Sequence, residues 1–300
     1  MAEGRERAKT RLDNLEAIEP LLGSLRVLSL STMQMALNRL DSLELYSDRF
    51  CEVAAQLRRQ TKLAASSHHV EEAFDYRPHH SEQILVILGS VRGIAGQYNR
   101  QLARLANETI SNVKKPYTNV LAFGSRVQSA LGQEKVAFEP RDTLSSGSMP
   151  DYEKAAQLIR AWIKAFESGS LAALDILSFR RQATNSDFKP QLTRLLPEGS
   201  ATSDDSSPQD LSFPEPIIEG EPCVLLERIG DHLLAIRFYE IILEAIAAEN
   251  LFRYRLLEEA KENTDILLEE LRQSIQIEHR KEITQQLQEL LVGSGMLADW

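Results

Sequence analysis

The segment PCVLLERIGDHLLAIRFYEIILEAIAAENLFRYRLLEEAKENTDILLEELRQSIQIEHRKEITQQLQELLV, Pro222 to Val292, holds a single glycine, Gly230, and no proline after its first residue. Apolar positions recur through it at Leu226, Ile229, Leu233, Ile236, Leu243, Ala247, Tyr254, Leu257, Thr264, Leu268, Leu271 and Ile275. With polar entries allowed at Glu240, Asn250 and Lys261, the steps alternate between three and four, which is a heptad seam. Some 70 helical residues at a rise of 1.5 Å each extend about 100 Å, more than a globular domain of this size encloses. Gly293, followed by SGML, makes a suitable helix stop.

The other end of the chain reads the same way. From Arg5 to about Ala65 the sequence is rich in Leu, Ala, Glu and Arg, and Leu12, Leu15, Ile18, Leu22, Leu25, Leu28, Thr32 and Met35 trace a helical stripe. Pro20 either kinks this helix or marks its first real turn. One arrangement buries both stripes: an antiparallel coiled coil of residues 1–65 with residues 222–300, the longer C-terminal helix projecting beyond its partner.

Between the helices the pattern changes. QILVILGS, TNVLAFGSR ending at Gly124, and LAALDILSFRRQAT read as strands, while YNRQLARLANETISNV, RVQSALGQ and DYEKAAQLIRAWIKAFESG read as helices. Such alternation predicts parallel pairing in a small Rossmann-like α/β domain of two or three layers, spanning residues 82–190. Residues 191–221, with PEGSATSDDSSPQDLSFPEP, lack periodicity and read as a surface loop or linker. The fold class is therefore α/β plus a long helical antiparallel coiled coil.

The bulk properties exclude several functions. A net charge of −10 over 300 residues disfavours nucleic acid and anionic membrane surfaces as partners and favours a basic one. Cys51 and Cys223 form no CxxC spacing, so neither a thiolate zinc site nor a disulfide framework is indicated. The start MAEGRERAKTRL has no apolar signal core, and no uninterrupted apolar run reaches the roughly 18 residues of a membrane span. His68-His69 and His79-His80 are adjacent pairs on a polar loop whose side chains point apart, and no cysteine or carboxylate spacing completes a metal site with them. No nucleophile–base pair stands out; Trp162 falls on the apolar face of its helix, and Met33 and Met35 suit seam packing or a surface that slides past several partners.

After the first strand comes LGSVRGIAGQYN, residues 88–99, whose position invites a nucleotide reading. Gly89, Gly93 and Gly96 stand four and three apart, whereas a dinucleotide fingerprint needs its first two glycines two apart. The Gly-Lys-Ser/Thr ending of the other common phosphate loop is missing too. No cofactor, metal or small-molecule substrate is expected here.

What the stretch does match is a strand followed by Gly-Ser-x-Arg-Gly-x-x-Gly-x-aromatic-Asn, through Gly89, Ser90, Arg92, Gly93, Gly96, Tyr98 and Asn99. A second match runs ungapped through Glu249, Arg253, Ala260, Asn263, Leu271, Ile283, Thr284, Glu289 and Gly293. On these residues the chain resembles the gamma subunits of F-type ATP synthases, in a divergent form that is also similar to gamma subunits of the alternate rotary ATPases. Val91, Ala95 and Gln97 stand where that family usually has Asp, Cys and Gly. Thr32, Gln34 and Met35 replace a basic cluster, and His279-Arg280 replaces Arg-Gln.

The resemblance implies a central rotor shaft without catalytic residues of its own. Its coiled coil would pass through a ring of alternating alpha and beta subunits. Its foot would sit on the membrane rotor ring beside an epsilon-type subunit, at the cytoplasmic face of the cell membrane. Rotation driven by protons or sodium ions would be coupled to ATP synthesis or hydrolysis. It also implies partner contacts from Arg92, Gly93, Gly96, Tyr98 and Asn99, with Arg92 facing an acidic lever of a catalytic subunit, and from Arg253, Asn263, His279, Arg280 and Thr284 toward the ring. The alternative is a gamma-like paralogue that regulates or assembles the ring without rotating, which the altered N-terminal helix motivates.

Overall fold

The computed structural model describes residues 2–64, 82–113, 116–144, 149–182, 187–197 and 220–293. The four histidines 68, 69, 79 and 80, most of the 191–221 segment and the SGML stop lie outside the described residues. Two helices dominate: α1 (Ala2–Ala64), with Pro20 inside it, and α5 (Pro222–Gly293). Between them run β1 (Glu82–Leu88), α2 (Tyr98–Asn112), β2 (Asn119–Phe123), α3 (Ser125–Gln133), β3 (Glu139–Arg141), α4 (Tyr152–Glu167), β4 (Leu171–Arg181) and β5 (Phe188–Leu196). The chain divides into two compact units, one of Met1–Leu30 with Arg253–Trp300 and one of Ser31–Phe252.

The larger unit is built on a five-stranded sheet of order β3-β2-β1-β4-β5. β1 pairs parallel with β2 and β4, and β2 parallel with β3, as expected for strands separated by helices. The last pairing differs: β5 runs antiparallel to β4, so the sheet is mixed, and this strand continues past Pro190, where the sequence reading ends the α/β segment. Only Phe188, Leu195 and Leu196 of β5 are buried, so its alternation is too faint to announce a strand. As an edge strand it tolerates Pro190 and carries Lys189, both of which discourage pairing with another chain.

Helix faces explain the core. α2 turns Tyr98, Leu102, Ala103 and Ala106 inward, and α4, capped where the Glu153 amide donates to the Asp151 carboxylate at 3.0 Å, turns in Ala155, Ala156, Ile159, Trp162 and Ile163. Trp162 sits edge-on to Phe238 of α5 at 5.6 Å between ring centroids, which makes it core as its position on the apolar face predicts. Within this unit α1 and α5 run antiparallel: Arg39 lies over the Tyr239 ring at 5.6 Å, and the Tyr46 hydroxyl meets His232 Nε2 at 3.1 Å.

Two polar devices tie the sheet. Asp175, its side chain 1% exposed in the middle of β4, accepts from both Nε and Nη2 of Arg194 on β5 and from the Tyr117 hydroxyl at 2.7 Å. Burial, then the bond to Asp175, drives the Tyr117 phenol well above its ordinary range. Near the end of β4, Arg180 pairs with Glu244 of α5, and the Arg181 amide donates to the same carboxylate at 3.3 Å. Burial raises the carboxyls of Glu244 and of its neighbour Glu240; Arg180 opposes the rise at both, while Glu244 and Glu44 add to it at Glu240.

The smaller unit is a helix pair with a different seam. α5 buries Leu257, Thr264 and Leu268 there. On α1, however, the face toward α5 runs through Leu15, Leu22, Arg26 and Ser29, while Ile18, Leu25 and Leu28 are 46%, 40% and 61% exposed. The single stripe expected from Leu12 to Met35 is therefore two faces. Cross-helix ion pairs fix which one turns inward: Arg26 Nη1 lies 2.5 Å from Glu258 Oε2, and Arg272 Nη2 lies 2.8 Å from Glu16 Oε1. Both pairs are antiparallel in order, and each raises its arginine while the first holds Glu258 below the ordinary carboxylate value.

At the C-terminal end of the sheet the backbones close on one another. A Cβ on Gly89 would lie 2.2 Å from Val127 Cβ of α3, and a Cβ on Gly124, whose φ is +107°, would lie 2.6 Å from the Gly89 carbonyl oxygen. Gly124→Ala is therefore expected to destabilise the chain by about 2–4 kcal/mol in urea unfolding, since both φ and the contact resist a side chain. Glu240 gives the pH expectation. Its raised carboxyl favours the folded state below the usual value of 4.5, and that contribution is lost as pH rises through the folded value. Glu240→Gln should raise Tm at pH 8 relative to wild type, with the difference vanishing near pH 4 in a thermal-melt series.

Candidate functional site

Residues 89–99 leave β1 and return into α2. The first half of the loop is pinned from inside. The Gly89 amide donates to the Phe123 carbonyl at 2.9 Å, and the Ser90 carbonyl accepts from the Arg126 amide at 3.0 Å. Ser90 is fully buried; its amide donates to Asn99 Oδ1 at 3.0 Å, Asn99 Nδ2 donates to the Ser90 hydroxyl oxygen at 2.8 Å, and that hydroxyl donates to the Arg92 carbonyl at 3.1 Å. The Ser125 hydroxyl caps the same turn by donating to the Val91 carbonyl at 3.3 Å.

Tyr98 anchors the loop's far end and is 1% exposed. Its ring stacks on Phe179 of β4 at 4.6 Å and 18°, with Phe252 of α5 edge-on to both at 5.8 and 5.2 Å. Its hydroxyl lies 3.2 Å from the Ala245 carbonyl oxygen of α5 and 3.4 Å from that of Leu88. Because β1 sends its chain to β2 on one side and borders β4 on the other, the ends of β1 and β4 form the switch point where doubly wound sheets hold dinucleotides. Here three aromatic rings and a helix fill that crevice. The motif is thus a device for joining loop, sheet and helix.

The loop's tip faces outward. Arg92 is exposed, Val91 and Ile94 are 41% and 51% exposed, and Ile94 holds φ at +60°. A β-branched residue rarely adopts that region, at a cost of about 1–2 kcal/mol, so the surrounding hydrogen bonds impose the shape. Of the residues expected to contact partners, Arg92, Gly93 and Gly96 occupy this tip. Tyr98 and Asn99 act inside the chain, in the roles just described. In the smaller unit Arg253 is 9% exposed, while Asn263, His279, Arg280 and Thr284 are exposed on α5. His279 Nδ1 lies 3.9 Å from Glu282 Oε2, and the Thr284 hydroxyl donates to the Arg280 carbonyl at 2.8 Å. Every residue of α5 from His279 to Leu291 is exposed.

From the sequence Gly124 stands only as the end of a strand, without its close approach to Gly89, and nothing there singles out Val127, which closes against Gly89, or Phe179 and Phe252, which hold Tyr98. The glycine directly after β2 carries a signal, because a glycine between a strand and a helix marks close backbone approach. The two phenylalanines carry none, since their roles depend on contacts far apart in sequence. Among the described residues no group of three or more His, Cys, Asp or Glu is arranged to hold a metal ion, and no helix is long and apolar enough to cross a membrane.

Comparison with known proteins fits this geometry. The sequence model of the ATP synthase family matches residues 5–297. The chain is 24% identical to the ATP synthase gamma chain of Mycolicibacterium vanbaalenii over 316 aligned residues, covering 100% of this chain and 99% of that one. It is 20% identical to the gamma chain of Lachnoclostridium phytofermentans, covering 96% and 97% of the two. In fold it is similar to a chain from the central stalk and c-ring structure of the Tetrahymena thermophila mitochondrial ATP synthase, with a TM-score of 0.51 at 14% identity over 80% of this chain and 99% of that one. A chain from the Euglena gracilis mitochondrial enzyme gives 0.50 at 12% identity over 89% and 95%. The chain belongs to the ATP synthase gamma family.

Proposed function

We propose that this chain is the central-stalk subunit of a rotary ATP synthase, transmitting rotation between a membrane rotor ring and the nucleotide sites of an alpha–beta ring. The observation that carries the reading, beyond family membership, is the exposed end of α5, where Ile283, Leu287, Leu290 and Leu291 are 44%, 55%, 69% and 46% exposed. Apolar side chains at helical spacing on a bare helix end need cover from another subunit. The chain performs no bond chemistry in this role. It supplies a surface that differs around its circumference, so that each catalytic subunit meets a different face and takes a different conformation.

The site residues divide accordingly. Arg92, flanked by Val91 and Ile94 and given close approach by Gly93 and Gly96, contacts an acidic segment of a catalytic subunit. Asn263, His279, Arg280 and Thr284 contact the ring, Arg253 supports them from within its helix, and Tyr98 and Asn99 hold the loop in shape. The complex would stand at the cytoplasmic face of the membrane with an epsilon-type subunit beside the foot. Co-purification of the tagged chain with alpha, beta and rotor-ring subunits tests the reading, and a chain that assembles with none of them would overturn it.

Two expectations follow from the exposed elements. Deleting residues from Gln276 onward should leave the Tm of the isolated chain nearly unchanged, yet lower ATP-driven ion pumping severalfold relative to ATP hydrolysis in inverted vesicles. Arg92→Glu should slow association with the ring by roughly tenfold at low salt, with less effect at high salt, as for a rim charge on a complementary surface. Arg92→Lys should retain most of the wild-type rate, measured by surface binding at two ionic strengths.

A further inference from the structure

The outward face of α1 in the smaller unit is the surface left without a role. Ile18, Leu21 and Leu25, at steps of three and four, are 46%, 61% and 40% exposed, and Ile266 and Leu267 of the adjoining α5 are 57% and 47% exposed. The Glu16–Arg272 and Arg26–Glu258 pairs bracket this stretch, so residues 16–26 of α1 lie alongside 258–272 of α5. A partly apolar surface of this kind requires cover, and its charge identifies the cover.

Between the brackets eight carboxylates stand against three cations. Each cation already has a carboxylate opposite it: Arg26 with Glu258, Arg272 with Glu16, and Lys261 with Asp265 at 3.7 Å. The excess therefore consists of Glu19 and of Glu259, Glu262, Glu269 and Glu270, the last four all exposed. Anionic partners are repelled by such a belt, and a neutral apolar lining would leave its carboxylates facing a surface that cannot hydrogen-bond them.

We propose that this stretch is the partner-selecting surface of the chain, docking against a protein lining that combines apolar side chains with an excess of lysine and arginine. Resting on the central-stalk reading, the inference assigns that lining to the inner surface of this chain's own alpha–beta ring. A ring whose lining is neutral or acidic at that level would bind the chain poorly. Charge thus selects the partner and speeds encounter, while the apolar residues supply the contact area.

The test measures association of the full-length chain with a reconstituted alpha–beta ring from the same genome, across a salt series. Wild-type affinity should fall as salt rises. The variant Glu259→Lys/Glu262→Lys/Glu269→Lys/Glu270→Lys should bind about tenfold or more weakly at low salt. Reversal of the exposed Glu108 on α2 should have no effect, and Ile18→Gln/Leu21→Gln should weaken binding without lowering the Tm of the free chain. If the quadruple variant does not fold, the matching glutamine set and the wild-type salt series give the same reading. Wild-type binding that is insensitive to salt and to these changes overturns the proposal while leaving the central-stalk reading intact. Failure of the wild-type chain to bind the ring at all overturns both.

Discussion

Tyr98 is the side chain on which the larger unit's organisation depends. Its ring occupies the crevice at the ends of β1 and β4, and its hydroxyl reaches a backbone carbonyl of α5, so one residue connects loop, sheet and long helix. Removing the ring would leave Phe179 and Phe252 facing a cavity, and removing only the hydroxyl would leave the buried Ala245 carbonyl short of one partner. A fold that elsewhere keeps this crevice open for a ligand has closed it with its own aromatic core. The same residue fixes where the preceding loop begins its return, which is why the loop's tip can be exposed while its base is rigid.

Rigidity at the base and exposure at the tip are coupled through Ser90 and Asn99. Together they satisfy one another and the Arg92 carbonyl, so the backbone entering the tip has few alternatives. The positive φ of Ile94 is tolerated because those bonds over-determine the turn. A contact loop built this way presents Arg92 with little ordering left to pay on binding.

Much of this was legible in the residues. The α5 seam positions are all buried or half-buried, because a heptad stripe on a long helix that a single internal glycine, Gly230, does not break is covered along one face. β1 and β2 were legible as dense apolar runs ending at glycines. β5 was hidden because most of its side chains face solvent, and β3, at three residues, is too short to show any period. The N-terminal stripe misled for a different reason. Apolar residues on α1 occupy two faces, and polar pairs rather than apolar spacing decide which faces α5, so hydrophobicity alone placed Ile18, Leu25 and Leu28 in a seam they do not join.

That misreading exposes a change in composition along α5. From Ala235 to Ala248 the helix is buried at most positions by rings and aliphatic chains, whereas beyond Arg253 the described side chains buried are only Leu257, Thr264 and Leu268, with carboxylates around them. A helix pair so thinly sealed gains little from apolar burial, since each fully buried leucine contributes about 2 kcal/mol. Of its cross-helix ion pairs, Arg26–Glu258 is half-buried and Arg272–Glu16 is exposed, and they serve register more than stability. Isolated in water, such a pair would be marginal; seated within a complementary partner, its exposed apolar and acidic residues become the inner half of an interface. The thin seam and the undischarged surface are therefore one property: the smaller unit is composed for an environment that other subunits provide.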